Sequence, residues 1–558
     1  MQIPGRLAAA LMLVLCVGCA VPGPDSPLSL GPGGVPRFVS ELYLLPAEVG
    51  DTDLDLRIAD RQVVEGTLGE PLLRVRFSFV SYRGYVGIDD VHRSSGALFL
   101  PVDARGTANP ARFGEVLLTE YPPGVSATGF PLYAEYGERP AIELGWPTAI
   151  VDLRGPIARE LRYFRNPADS GGSTFTSEEQ FALSMLYAFQ ETADFSLLYE
   201  QRVAQAWLRA IRAVDVLLLR EIGERRSTFL LAGEGYGALG ALQAAAAYPG
   251  VRGLVYCGWP LDWPDLHFTR WRRWEREARY YPLEDLQPLP YPDSQSLLSF
   301  LFSSQRKPDP GCPTCRAGGD LWTSQFDYHQ LKERGLLDHV RTLVLVGDSD
   351  PRYPLDLEIR ASVPPQAVAE LPVHASDRTA PAAASRGPFA QELVLPFAAL
   401  RYLRASRGTL AHEDAAEGVL AWLQTLSGFR DVPRLRVREA LVGGDVELEI
   451  LVREGNASVS SVEIYLTEIE DADDSDFKHA LHRSPPGTML WRRVDASYGG
   501  HTQDFGHRWL GSFPLNRSRN RAYYVIVRDR VGDLATAYSL PIRPLWNLGD
   551  PAIGPARF

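Results

Sequence analysis

The chain is poor in lysine and in cysteine, and it has no excess of positive charge. Its formal net charge is −12 over 558 residues, which removes the electrostatic basis for holding a polyanion and argues against nucleic acid as a partner. Only three of its 57 basic residues are lysines, Lys307, Lys332 and Lys478, a skew that reads as genome composition rather than function. Beyond the N-terminus there is no run of 18 apolar residues, so no second segment is expected to span a membrane. Of the five cysteines, Cys312-Pro313-Thr314-Cys315 has C-x-x-C spacing. Beyond the N-terminal segment, where Cys257, Cys312 and Cys315 are the cysteines, no second cysteine pair or nearby histidine pair completes a zinc set, and no redox-type βαβ pattern surrounds it. In an exported protein a local disulfide between Cys312 and Cys315 is the expected reading. Nothing in the sequence implies a metal or a cofactor.

What is present is globular. Apolar residues make up 45% and charged residues 23% of the chain, and the length suggests two or three domains. Residues 1–18 read as a signal peptide: Arg6 supplies a short basic region and Leu7 to Val17 an apolar core too short to cross a bilayer. The segment ends in Cys16-Val17-Gly18-Cys19-Ala20, which resembles a bacterial lipobox with Cys19 as the lipidated residue. Cys16 stands where that motif has Leu, and an ordinary secretory signal is the alternative. Residues 19–36, rich in Pro, Gly and Ser, then form a flexible tether. The expected location is the bacterial cell envelope, on the outer membrane, with membrane contact through the lipid anchor alone.

The stretch that organises the rest is Ser227 to Gly250, STFLLAGEGYGALGALQAAAAYPG. An apolar run, Thr228 to Ala232, predicts a buried parallel strand. A sharp turn through Gly233-Glu234-Gly235-Tyr236-Gly237 leads into an Ala/Leu helix that Pro249-Gly250 ends, and a second strand is predicted over Val251 to Tyr256. Strand, glycine-flanked turn, helix and strand form the setting of the α/β-hydrolase nucleophile elbow, G-x-S-x-G. Gly233 and Gly237 keep its frame, but the central residue is Gly235 and the nucleophile is missing. Glycine accepts the strained elbow backbone without a Cβ penalty, so Gly235 keeps the turn and removes the chemistry. Any other glycine-bearing strand-to-helix turn, including a nucleotide loop, is the competing reading, although the dinucleotide spacing G-x-G-x-x-G does not occur.

Around this centre the sequence predicts an α/β-hydrolase domain over residues 37–430, a doubly wound sheet with a lid insertion at about 259–340. A β-sandwich is expected over 431–545 and a tail over 546–558. Leu42–Leu45, Leu54–Ile58 and Leu73–Phe79 read as antiparallel strands at a sheet edge. Gly96–Pro101, Val116–Leu118 and Thr148–Leu153 read as further strands, and Tyr133–Leu144 as a helix. Ser177-Glu178-Glu179-Gln180 is a capping-box signature opening a helical region that runs to about Glu221. The lid is rich in Trp and Tyr, which either line a cleft or pack it onto the body. The sheet resumes at Thr342–Gly347, a last strand is expected over Ala367–Val373, and a helix from about Phe389 to Arg404 should cover it. Beyond Phe429 the helical period gives way to regular short strands. The acidic loop Glu468–Asp476 lacks the glycine and terminal Glu of a calcium loop and reads as solvated.

In this fold the triad order is nucleophile, acid, histidine. Asp350, after a buried strand, and His374, after the last expected one, have that order. Asp348 competes with Asp350 for the acid position. Tyr236, directly after the elbow apex, and Tyr121, at the end of a strand where an oxyanion loop would lie, are the oxyanion candidates. The features in sum resemble the PhoPQ-activated pathogenicity-related family. The stretches that carry the resemblance are Glu178–Asp194 with Ala204–Asp215, the elbow, Phe326-Asp327-Tyr328, Leu343–Pro351, and Val462-Glu463-Ile464-Tyr465 with Asp476-Phe477-Lys478. They span most of residues 40–545. The family's elbow is G-x-S-K-R-G, so Gly235 stands at its serine, and Tyr236-Gly237 departs from its Lys-Arg-Gly. The family's histidine would fall near Ser376. The resemblance implies a secreted protein of α/β-hydrolase fold.

Without a nucleophile, acid and base have no attacking partner. The expectation is a catalytically impaired envelope lipoprotein that binds a ligand or an envelope protein. The alternatives are an ester or peptide hydrolase with a displaced nucleophile, for which Ser349 and Ser376 are the nearby hydroxyls, and a structural protein that docks through its β-sandwich.

Overall fold

Alternating apolar residues between positions 57 and 101 fold as a meander of three antiparallel strands, β1 (Arg57–Glu65), β2 (Pro71–Tyr85) and β3 (Ile88–Pro101). The structure is a computed structural model. It describes residues 44–154, 178–185, 197–261, 325–348, 389–404, 408–469 and 491–545, apart from short stretches inside those ranges. The described residues divide into two compact units, one made of those up to Arg252 together with those of 325–340, the other of those of 253–261 together with those from Arg341 on.

In the first unit β3 is followed by β4 (Val116–Glu120), β5 (Thr148–Asp152) and β6 (Phe229–Glu234). The spatial order is β1-β2-β3-β5-β4-β6. β3 meets β5 antiparallel, whereas β5, β4 and β6 are mutually parallel. β4 and β6 are buried along their whole lengths, which is why they read as unbroken apolar runs: in a parallel sheet covered on both faces, neither face selects polar residues. β1 is mostly exposed and carries Arg57, Asp60, Arg61 and Glu65, charges that protect a sheet edge from further pairing.

Helices here include α1 (Asp51–Leu54), α2 (Arg139–Leu144), α3 (Tyr199–Ile222), α4 (Tyr236–Ala247) and α5 (Tyr328–Glu333). A π-helical turn, Tyr133–Glu138, leads into α2, so the expected helix over 133–144 is present. α3 is the long helix that feeds the elbow strand. It ends at Gly223, whose φ of 72° allows its N–H to cap the carbonyl of Leu219 at 3.1 Å. α3 and α4 approach closely because Gly240 has no side chain: a Cβ there would lie 2.5 Å from Cγ1 of Val203.

In the second unit β7 (Val251–Cys257, from Gly253 on), β8 (Arg341–Gly347) and β10 (Ala398–Leu403) lie side by side and parallel. α6 (Glu413–Leu426) comes after β10. The remaining strands form two antiparallel sheets. One has the order β15 (Ser497–Thr502), β16 (Gly506–Pro514), β12 (Asp445–Arg453), β11 (Arg434–Val442), β9 (Phe389–Glu392). The other has β14 (Arg492–Asp495), β13 (Ser458–Ile469), β17 (Asn520–Val531), β18 (Leu534–Ser539), with β19 (Arg543–Leu545) also on β17. Leu435, Val437, Leu448 and Ile450 from the first and Val462, Ile464, Val525 and Val527 from the second share one core. That is a β-sandwich with alternating inward residues. The chain therefore has an α/β-hydrolase sheet architecture with a C-terminal β-sandwich.

Three local expectations are corrected. Leu44 and Leu45 lead into a turn closed by Glu48 N–H on the carbonyl of Leu45 at 2.8 Å, with no strand there. Leu54 is the buried last residue of α1, while Ile58 lies in β1. The helix expected over Phe389–Arg404 is two strands, β9 and β10. Pro396 lies between them, where its missing N–H and ring would break a helix, and Ala398–Leu403 is held by its register on β8 from Ala398↔Thr342 to Leu403↔Gly347. Most of the lid, the expected strand over 367–373 and most of the acidic loop lie outside the described residues.

Candidate functional site

The buried strand β6 ends at Glu234, and Gly235 turns the chain into α4 with φ 59° and ψ −125°. A residue with a side chain resists this combination, and glycine does not. The carbonyl of Gly235 accepts from Ala238 N–H at 3.0 Å and Leu239 N–H at 3.2 Å, so the helix starts without delay. The flanking glycines are required by space. A Cβ on Gly233 would lie 2.5 Å from the carbonyl oxygen of Gly237, and one on Gly237 would fall on the carboxylate of Glu120. Trp207 on α3 donates its indole N–H to the Gly237 carbonyl at 3.0 Å, fixing the turn from the helix side. Backbone, spacing and packing are those of a nucleophile elbow, with no side chain at its apex.

Beside the elbow lies a buried charged cluster that sequence reasoning missed. Arg154, two residues beyond β5, donates Nε to Glu120 Oε1 at 2.5 Å and Nη2 to the carbonyl of Glu234 at 3.0 Å. Its Nη1 reaches both oxygens of Glu178, at 3.0 and 3.1 Å. The Tyr199 hydroxyl donates to Glu178 Oε1 at 2.5 Å, and its ring meets that of Tyr236 edge-on at 5.3 Å. Glu120, Arg154 and Tyr199 are all buried. Two carboxylates share one guanidinium, so the cluster would carry a net negative charge in a dry environment if both were ionised. Burial, opposed by Arg154 and reinforced by Glu178, pushes Glu120 up to about 7. Burial and the neighbouring Glu178 push the Tyr199 phenol well above its ordinary range. The cluster therefore takes up a proton as pH falls through about 7, and it ties three parts of the first unit to the elbow: the ends of β4 and β5, and the helical stretch at Glu178. A charged residue at the C-terminal end of an apolar strand was the available signal, since that end of a parallel sheet is where sites form.

The oxyanion candidates fare differently. Tyr236 is the first residue of α4, the position from which an elbow presents its amide. Tyr121 uses its own amide on the carbonyl of Val151 at 2.8 Å, extending the β4–β5 pairing, so that N–H is committed to the sheet.

In the second unit Asp348, directly after β8, is buried. Arg404 and Tyr524 both donate to its Oδ2, the latter at 3.0 Å. Trp491 Nε1 donates to its carbonyl at 3.1 Å, and its N–H meets the Leu403 carbonyl at 2.8 Å. Arg404 also lies over the Tyr465 ring at 4.5 Å. Asp348 is thereby a junction between β8 and the sandwich strands. His412 lies after β10, the strand beside β8, and precedes α6. Strand, histidine, helix is the topological slot of the triad histidine in this fold. The imidazole Nδ1 accepts from Asp414 N–H at 3.2 Å as the N-cap of α6. Asp350, His374, Cys19, Cys312 and Cys315 lie outside the described residues. Among the described residues no group of His, Cys, Asp and Glu is arranged to hold a metal ion, and no helix is long and apolar enough to cross a membrane.

No family model matches the chain, and no curated protein matches it. Among solved structures it is similar to a glucuronoyl esterase from Solibacter usitatus, at 13% identity over 67% of this chain and 84% of that one, with a TM-score of 0.33. It is also similar to a CE15 glucuronoyl esterase from Teredinibacter turnerae T7901, at 12% identity over 67% and 79%, with a TM-score of 0.34. Acetyl xylan esterase 1 from Thermoanaerobacterium sp. JW/SL YS485 is 14% identical over 55% and 76%, with a TM-score of 0.30. Similarities at this level say nothing about chemistry, and the assignment of the fold rests on the strand order and the elbow.

Proposed function

We propose that the protein is an envelope lipoprotein, divergent from the PhoPQ-activated pathogenicity-related family, that has lost hydrolysis at its elbow and acts by binding a ligand or partner. The observation that carries this reading is Gly235, held at φ 59° and ψ −125° between β6 and α4. The backbone of a nucleophile is kept and its oxygen is gone. Loss of a triad nucleophile leaves only the small residual rate that oxyanion donors and binding supply. The lipid anchor belongs to the same proposal through Cys19 and the tether after it.

The test is fluorophosphonate labelling and ester hydrolysis by the protein and its Gly235→Ser variant. Labelling of the variant alone, with turnover appearing only there, supports a disabled hydrolase. Labelling of the unaltered protein would show that a nucleophile exists elsewhere and would overturn the reading. For the anchor, Cys19→Ser should release the protein from the membrane fraction; retention would count against lipidation.

A further inference from the structure

Away from the elbow, the first unit contains a cleft of about 310 Å³ between α1, the start of β1, the end of β2 and the C-terminal half of α3. Leu54, Leu56 and Val216 supply its apolar lining, and the larger part of the lining is polar. Its rim carries two carboxylates, Asp51 and Asp55, and two guanidiniums, Arg83 and Arg220. The carboxylates are already engaged by other arginines. Asp55 takes Arg57 at 2.7 Å and Arg93 at 2.6 Å, and Asp51 takes Arg212 at 3.1 Å. Those pairs hold the pKa of Asp55 below its ordinary value, the hydrogen bond from Arg57 contributing most. Arg83 and Arg220 have no ion-pair partner among the described residues.

A third arginine lies beside α1. Arg209 is buried, and its Nη1 donates to the carbonyls of Asp53 and Val80, each at 3.1 Å. Its Nε has no hydrogen-bond partner among the described residues. Burial lowers the pKa of Arg209, opposed by the charge of Asp53 and reinforced by that of Arg83. Arg83 and Arg220 thus line the cleft as guanidiniums without an ion pair among the described residues, in a chain whose net charge is −12. Asp55 closes α1 at φ 41°, a left-handed conformation uncommon for a residue with a side chain, and the kind of local strain found at ligand clamps.

We propose that this cleft binds a small organic oxyanion, a carboxylate or phosphate held by the forks of Arg83 and Arg220, with its apolar part against Leu54 and Val216. Guanidinium groups recognise both anions through paired N–H donors, and the volume lies at the small end of ligand sites. The site is independent of the elbow.

The experiment is calorimetric titration of the full-length protein with succinate and, separately, with inorganic phosphate. It is repeated on the Arg83→Gln/Arg220→Gln double variant and on Arg438→Gln, a control on the sandwich. Both cleft arginines are exposed, so the double variant should keep its thermal unfolding profile. Saturable binding of either anion that weakens roughly tenfold or more in the double variant and is unchanged in the control supports the site. The anion that binds more tightly identifies the ligand chemistry. Absence of saturable binding of both anions, or equal binding by the double variant, overturns the proposal.

Discussion

Oε2 of Glu120 occupies the place that a Cβ on residue 237 would need. The two residues are 117 positions apart in sequence, yet each dictates the other: glycine at 237 makes room for a carboxylate, and the carboxylate closes the space beside the elbow. Gly237→Ala should therefore cost about 1–3 kcal/mol through overpacking. In a Glu120→Ala background the same change should cost much less, giving a coupling that a double-mutant cycle by denaturant unfolding would read. Equal costs in the two backgrounds would contradict the contact.

Glu120 also sets a pH dependence. Its folded value of about 7 lies above the 4.5 of an unperturbed glutamate, so between those values the folded chain holds a proton that the unfolded chain has released. The contribution to stability is fully present below pH 4.5 and is lost as pH rises through 7, amounting to about 3 kcal/mol at most. Unfolding free energies of the protein at pH 5, 6, 7 and 8 should fall more steeply than those of Glu120→Gln, which keeps the shape and cannot ionise. Parallel profiles would show that Arg154 alone keeps Glu120 charged.

The conformation of Gly235 leads to a third expectation. At φ 59° and ψ −125° a side chain is strained whatever the surrounding space, and Gly235→Ala should cost ~1–3 kcal/mol. Gly223 provides the comparison: it has φ 72° and ψ 7°, and a Cβ there would meet nothing within 4 Å. Gly223→Ala should cost only ~1–2 kcal/mol, the ordinary penalty of a left-handed residue. Thermal or denaturant unfolding should show Gly235→Ala to be at least as costly as Gly223→Ala, and a Gly235→Ala variant as stable as the parent would mean that the elbow is relaxed.

Much of this architecture is legible in residue patterns. Continuous apolar runs such as Leu117-Leu118 and Phe229 to Ala232 mark strands buried on both faces, and the glycines at 233, 235 and 237 mark the turn. Ala398–Leu403 reads as helix because Leu400 and Leu403 fit a helical period, whereas pairing with β8 overrides that local preference. The cluster at Arg154 leaves no local pattern. Its partners lie 34 and 24 residues away, and only the fold brings them together. The helix expected over Phe389–Arg404 hid the strand that precedes His412, and with it the histidine's position in the fold.

That position yields the last prediction. His412 lies beyond β10 and caps α6, with Nδ1 accepting from Asp414 N–H at 3.2 Å. An imidazole that accepts through Nδ1 carries its proton on Nε2 when neutral, which is the wrong tautomer for taking a proton from a nucleophile. As it stands, His412 is a helix cap: His412→Ala should cost about 0.5–2 kcal/mol, and His412→Asn, a good N-cap residue, should restore most of that. If Gly235→Ser regains fluorophosphonate reactivity, the histidine that supports it can be found by adding His374→Ala or His412→Ala. Loss of labelling with His374→Ala alone keeps His412 as a cap. Loss with His412→Ala, and its persistence in the His412→Asn variant, would trace the effect to the geometry of α6. Loss with both His412 variants and not with His374→Ala would make His412 the base, and its bond to Asp414 would have to break before it could act.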